Sequence, residues 1–263
     1  IIFMRVKVYE APKLRDPYLI VGLPGIGNVA KISADYLIKQ LKAKLFVEFY
    51  SPVFPPYVLI GKGRLVELLK NEFYYWKNNR SKNDLLIFTG NTQASTSKAQ
   101  YVVAEKILDC VEEFKVKKLI SMAAYVVDGP VEKPKVYGTA TQPELLEELK
   151  QYGVTLMGEG SIGGANGLIV GLAQARNISG ICLLSETLPG YITPSGSILA
   201  DPKAARALLE VLSKMLGIDI DLSHLEEEVK LTYGAGHDVE EMKHPAPEEI
   251  YGITHPPGDY SYI

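Results

Sequence analysis

The chain has 263 residues, 47% of them hydrophobic and 22% charged, with a net charge of −3. That length and balance describe a globular chain able to bury a large core. The slightly acidic balance without a basic run excludes an electrostatic nucleic-acid binder, and no apolar stretch nears the roughly 20 residues that span a bilayer.

Met4 to Tyr9 alternates through Val6 and Val8, which predicts a first strand. Tyr18 to Gly22 is a second, and it runs into Leu23-Pro24-Gly25-Ile26-Gly27-Asn28-Val29-Ala30, a glycine turn followed by a helix to about Leu41. Gly25, Gly27 and Ala30 fit the G-x-G-x-x-A form of a dinucleotide fingerprint. Leu45 to Tyr50 completes a β-α-β unit, and Glu48 falls near where a ribose-binding acid belongs. The pattern then changes. Tyr57–Ile60 and Leu65–Leu69 flank Gly61-Lys62-Gly63-Arg64, a hairpin signal, and Phe73–Trp76 reads as a third short strand. This predicts a small antiparallel insert over about 54–78, its aromatics forming either a local core or a subunit interface.

Asp84 to Gly90 reads as a buried strand, and Ser95, Thr96 or Ser97 can cap the amphipathic helix that follows. Lys118 to Ala124 is another strand, and Asp128-Gly129-Pro130 breaks it; Lys135 to Ala140 resumes extended structure. Thr141-Gln142-Pro143-Glu144 reads as a capping box for a short helix. Val154 to Met157 then leads into a second glycine turn, with Gly158, Gly160 and Gly163 in G-x-G-x-x-G spacing ahead of a small-residue helix. After the strand Gly180–Ser185, Glu186 repeats the placement of Glu48. Asp201-Pro202 opens a strongly amphipathic helix that Gly217 stops, and Asp221 is expected to start a last one. From Tyr233 onward glycines, prolines and acids replace periodicity, which predicts a body over 1–232 and a tail over 233–263. The fold expected is α/β: a mostly parallel central sheet flanked by helices, with the antiparallel insert and an extended C-terminal tail.

Chemistry is harder to find. Two fingerprints give two readings: anion binding at a helix N-terminus through Gly25, Gly27, Gly158, Gly160 and Gly163, or close helix–sheet packing with nothing bound. Ser161 has Glu159 where a nucleophile elbow needs glycine, and the Lys-Ser/Thr ending of a P-loop is missing. Tyr9 and Lys13 have the spacing of a dehydrogenase pair but cross Pro12. Asp128, Glu159 and Glu186 are candidate acids near predicted strand ends, where pockets form, although most such acids are solvated loop residues or helix caps. Cys110, in a helical pattern, and Cys182, in an apolar strand, read as small core residues, which suits a reducing cytoplasm. His224, His237, His244 and His255 have no metal-ligand spacing, and no signal peptide pattern opens the sequence. The expectation is therefore no catalytic set, no cofactor and no metal.

Over roughly Tyr18 to Thr232 the chain resembles the proteasome assembly chaperone family in its archaeal form. The resemblance rests on Gly22–Ala30, Val136-Tyr137-Gly138-Thr139-Ala140-Thr141, Gly163-Gly164-Ala165-Asn166-Gly167-Leu168-Ile169, Cys182-Leu183-Leu184-Ser185-Glu186-Thr187 and the Asp201-Pro202 helix start, in that order. It implies a core of the nucleoside-phosphorylase type, homo-oligomers, and binding to proteasome α subunits or the core particle. It also implies that the glycine loops are structural. Proteasome activators and some assembly factors end in hydrophobic–tyrosine–any, and Ser261-Tyr262-Ile263 matches the last two of those positions, Ser261 departing from the first. The competing reading is a nucleotide- or small-molecule-binding enzyme, ATP-grasp-like or dinucleotide-dependent, that uses the glycine loops.

Overall fold

The computed structural model describes residues 4–61, 63–79, 82–129, 131–188 and 200–233. Among these residues eleven strands and six α-helices follow one another in the order β1 (Arg5–Val8), β2 (Tyr18–Val21), α1 (Val29–Leu41), β3 (Lys44–Tyr50), β4 (Val58–Ile60), β5 (Val66–Leu68), β6 (Asn71–Trp76), β7 (Leu85–Gly90), α2 (Ser97–Glu113), β8 (Lys118–Val126), β9 (Val136–Ala140), α3 (Pro143–Gln151), β10 (Thr155–Leu156), α4 (Gly164–Ala175), β11 (Gly180–Thr187), α5 (Pro202–Leu216) and α6 (Leu225–Tyr233).

Nine strands form one sheet in the order β1-β3-β6-β7-β2-β8-β11-β9-β10. Its centre, β7-β2-β8-β11, is parallel. These strands are near-continuous apolar runs because helices cover both of their faces, the usual condition for parallel strands. Outside that quartet the direction changes. β6 pairs antiparallel with β7 and β3, β3 antiparallel with β1, and β9 antiparallel with β11. The sheet is thus mixed, which corrects the mostly parallel expectation. The cause lies in the connections: β6 reaches β7 through the short segment 77–84, too short for the crossover a parallel pair needs. The expected insert also divides. β6 belongs to the main sheet, and only β4 and β5 stand apart as a two-stranded ribbon.

Two apolar layers hold the helices. On one face Phe46, Phe49, Phe73 and Phe88 pack with neighbouring rings 4.7–6.4 Å apart under α2 and α4. On the other, Ile20, Ile87, Ile120, Ile181 and Leu183 meet α1, α3, α5 and α6. The insert's aromatics Phe54, Phe73 and Tyr75 are therefore core. Helix ends follow sequence chemistry at most points. Thr96 caps α2 by accepting from the Ala99 N–H, Asp201 caps α5 by accepting from the Ala204 N–H, and Gly217 ends α5 at φ 62°. Two expectations move by a residue or more. Gln142, not Thr141, stands at the N-cap of α3, because the Thr141 hydroxyl is spent accepting the Gly180 N–H at 2.9 Å. Asp221 makes a local turn by accepting from Ser223, and α6 begins only at Leu225.

The sheet's two rims differ from its centre. β1 carries Arg5 and Lys7 and is exposed throughout, and β10 is two residues long.

A close helix–sheet approach in this frame is at Gly22, just after β2. A Cβ there would lie 2.3 Å from the Ala30 carbonyl oxygen and 2.7 Å from the Ala34 Cβ. Because both neighbours belong to the rigid first turns of α1, Gly22→Val should lower stability by about 3 kcal/mol or prevent folding. Urea unfolding followed by circular dichroism measures it, and a loss under about 1 kcal/mol would contradict the close packing.

Candidate functional site

The first glycine turn leaves the sheet at the carboxyl end of β2, in the parallel quartet, where α/β proteins place ligands, whereas the second follows β10, which runs antiparallel to that quartet. The structure brings them together, but around protein groups. The Asn166 side-chain oxygen accepts the Leu23 N–H at 3.1 Å, and its amide nitrogen donates to the Leu23 carbonyl at 3.1 Å. Asn166 lies in the first turn of α4, so one buried amide completes the backbone pairing of the first loop from within the second. Ser121 on β8 donates to the Asn166 carbonyl at 2.6 Å and fixes that turn to the sheet. Gln93, just beyond β7, adds a second clasp. Its amide nitrogen donates to the Pro24 carbonyl while its oxygen accepts the Ala165 N–H at 3.1 Å. That N–H is one of the unpaired donors at the start of α4 that a phosphate would use. Here Gln93 already holds it.

The individual glycines agree with this division. In the first loop Gly27 has φ 59°, and its carbonyl accepts the Asp201 N–H at 2.8 Å, joining the loop to the start of α5. Asp201 also accepts from the Thr187 hydroxyl at 2.6 Å, so β11 enters the same junction. Gly25 faces Gln93 and Asn166, each about a van der Waals contact away. In the second loop Gly158 and Gly160 are exposed, and a Cβ at either would meet nothing within 4 Å. Gly163 is extended at φ −80°. The required positions are Gly164, at φ 74°, and Gly167, where a Cβ would fall 2.5 Å from the Ile162 carbonyl oxygen. Neither belongs to the fingerprint triplet. Sequence reasoning missed Gln93 and Asn166 as the functional centre of this junction. A buried asparagine in an otherwise small, apolar helix was the available signal.

The candidate acids scatter. Asp128 and Glu159 are exposed. Glu186 accepts from the Tyr137 hydroxyl at 3.0 Å and from the Lys135 N–H at 2.9 Å, which ties β11 to β9. Glu48 lies three strands from β2, about 14 Å at ordinary strand spacing, and cannot serve a ligand on the first loop. It is instead the buried centre of a charge cluster at the β1-β3-β6 end. Lys70 meets it at 2.5 Å, the Tyr9 and Tyr50 hydroxyls donate at 2.7 and 3.0 Å, and Lys7 stands 3.6 Å away. Burial alone would push this carboxyl up, but the hydrogen bonds from Lys70, Tyr9 and Tyr50 outweigh it and hold the pKa at about 2. Burial pushes the thiols of Cys110 and Cys182 up to about 11 and about 12, so neither is a nucleophile near neutral pH. Among the described residues no three His, Cys, Asp or Glu side chains are placed to share a metal, and no helix is long and apolar enough to cross a membrane.

The other conspicuous surface is the β4–β5 ribbon, which joins β3 to β6 at the same end of the sheet as the first glycine loop. Tyr57, Val58, Leu59, Ile60, Leu65, Val66 and Leu68 are all exposed, Ile60 to 74% and Leu65 and Val66 to 73%. Outside it the large exposed hydrophobics of the described residues are Val6, Val8 and Tyr9 at β1 and Tyr101 on α2. Ser261, Tyr262 and Ile263, the expected partner-binding residues, lie outside the described residues.

Comparisons with known proteins agree with one another. The sequence model of the PAC2 family matches residues 19–233. Uncharacterized protein MJ1210 of Methanocaldococcus jannaschii is 36% identical over 225 residues, 85% of this chain and 83% of that protein. The crystal structure of Pyrococcus furiosus PbaB, an archaeal proteasome activator, superposes with a TM-score of 0.78 at 42% identity, covering 87% of this chain and 95% of PbaB. Pyrococcus furiosus PbaA, an archaeal homolog of proteasome-assembly chaperone, gives 0.71 at 26% identity over 88% and 93%.

Two outcomes follow from the geometry. Gly158→Ala and Gly160→Ala should leave stability within about 0.5 kcal/mol of the parent, whereas Gly167→Val should cost about 2 kcal/mol or more, read by urea unfolding. Equal losses at all three would mean that the exposed glycines are constrained as well. For Glu48, a folded pKa near 2 against 4.5 means stabilisation that is complete above about pH 5 and lost as pH falls toward 2. The stability gap between parent and Glu48→Gln should narrow by roughly 2 kcal/mol from pH 6 to pH 2.5. A gap that stays constant would remove the charge cluster from the acid response.

Proposed function

The chain belongs to the PAC2 family, and from that premise we propose that it is a non-catalytic, homo-oligomeric scaffold that engages the proteasome core particle or its α subunits. On this reading residues 1–232 are the chaperone-like body and residues 233–263 a tail. A kinship of the core with nucleoside phosphorylases belongs to the same reading, and the parallel run β7-β2-β8-β11 is compatible with it. The setting would be the cytoplasm of an archaeal cell.

The observation that carries the proposal is the likeness to PbaB over most of both chains, at an identity high enough for shared function to be a reasonable inference. The clasped glycine loops support its non-catalytic half. Gln93 and Asn166 occupy the backbone groups a dinucleotide would need, and Glu186 is bound to the Tyr137 hydroxyl and the Lys135 N–H rather than poised for proton transfer.

The contact proposed is Ser261-Tyr262-Ile263. A tyrosine ring can fill a pocket between adjacent subunits while the carboxylate of Ile263 pairs with a lysine there. One such segment binds weakly because ordering it has an entropic cost, and several on one oligomer raise the effective concentration. Avidity can then exceed single-site affinity by roughly 10²- to 10⁴-fold.

Surface-immobilised core particles provide the test. Tyr262→Ala, or one residue added after Ile263, should abolish most binding while circular dichroism and sedimentation stay unchanged. Ser261→Leu should strengthen binding by supplying the hydrophobic position. If the first two variants bind as the parent does, recognition lies on the folded body.

A further inference from the structure

The β4–β5 ribbon carries an assignment of its own. Its register, Val58 opposite Leu68, Leu59 opposite Glu67 and Ile60 opposite Val66, sorts the side chains by face. Paired residues and their i±2 neighbours share a face. One face is therefore Val58, Ile60, Val66 and Leu68, wholly aliphatic. The other carries Leu59 and Glu67, and the Glu67 carboxylate lies against the backbone of Gly61. The ribbon is not hydrogen-bonded into the main sheet. A lone two-stranded ribbon is marginal in water, so an aliphatic face left open needs a cover.

We infer that this aliphatic face is the contact through which a second copy of the chain binds, the two ribbons packing face to face about a two-fold axis. This rests on the homo-oligomeric reading above and names its surface. Three observations select a second copy. The face bears no charged or hydrogen-bonding side chain, so it offers a foreign partner little by which to be told apart, and it resembles the apolar centre of obligate homodimer interfaces. Among the described residues the ribbon holds most of the large exposed hydrophobics, so its best apolar complement on this molecule is the same face of another copy, as an isologous contact requires. The area reaches the lower bound of a specific contact. The four residues of this face present on the order of 500 Å² per copy, about 1,000 Å² for the pair.

Ile60 and Val66 sit opposite each other at the turn-proximal end of the face, and both are almost three-quarters exposed. The double variant Ile60→Lys/Val66→Lys would place four ammonium groups in the contact and should convert the parent oligomer into smaller species in sedimentation equilibrium at tens of micromolar. Circular dichroism and the thermal midpoint check that the body still folds. A second measurement needs no disruption: Ile60→Cys should give a covalent dimer under mild oxidation, with the parent as control for Cys110. A parent oligomer that the lysine variant leaves intact, together with no cross-link at position 60, overturns the ribbon assignment alone. A monomeric parent overturns the oligomeric reading and this assignment together. Folded lysine variants that remain oligomeric yet lose binding to core particles would show that the face meets the proteasome instead.

Discussion

The molecule turns on one carboxamide. Asn166 supplies both an acceptor and a donor to the backbone of Leu23, 143 residues away, at full burial. Without it the first glycine loop would leave an N–H and a carbonyl unpaired inside the protein, and each costs about 1–3 kcal/mol. The same side chain fixes the entry of α4, through which Ser121 and Gln93 bind the second loop to the sheet. Two turns that look like phosphate cradles thereby become the two halves of a seam. Their glycines answer steric demands inside that seam, at Gly22, Gly27, Gly164 and Gly167, and have no steric role where the fingerprint alone would place them, at Gly158 and Gly160.

Much of the fold was legible because its signals are local. The Asp201-Pro202 start and Gly217 stop of α5, the Thr96 cap of α2 and the apolar runs of β2, β7, β8 and β11 depend on neighbours a few residues away. Strand direction is not local. The alternation of Asn71 to Trp76 fits a strand of either sense, and only the pairing with both β7 and β3 decides it. Aromatic residues of the same segment read as interface or core until the Phe73 ring is found packed at a tilt, 4.7 Å from Phe88.

The site was less legible than the fold. The spacing that placed Glu48 near a ribose position is a count along the chain, and the sheet order sets two strands, β6 and β7, between it and the strand that carries the loop. Gln93 and Asn166 have partners far away in the chain, so that beyond a polar residue in a small, apolar helix nothing local marks them. What identified the family was instead the order of several short motifs, none of which marks a binding site, and the match over residues 19–233 agrees with that.

The rims of the sheet decide how such a molecule can meet its own kind. A free strand edge is a template for further strands, and a long apolar one invites open-ended stacking. Here one rim is only the two residues of β10, and the other, β1, sets Arg5 and Lys7 along its length. Identical β1 edges brought side by side would crowd like charges. Growth by strand addition is thereby discouraged at both ends, and the nine-stranded sheet stays finite. A particle of fixed size, rather than a fibre, is the form of association these edges permit.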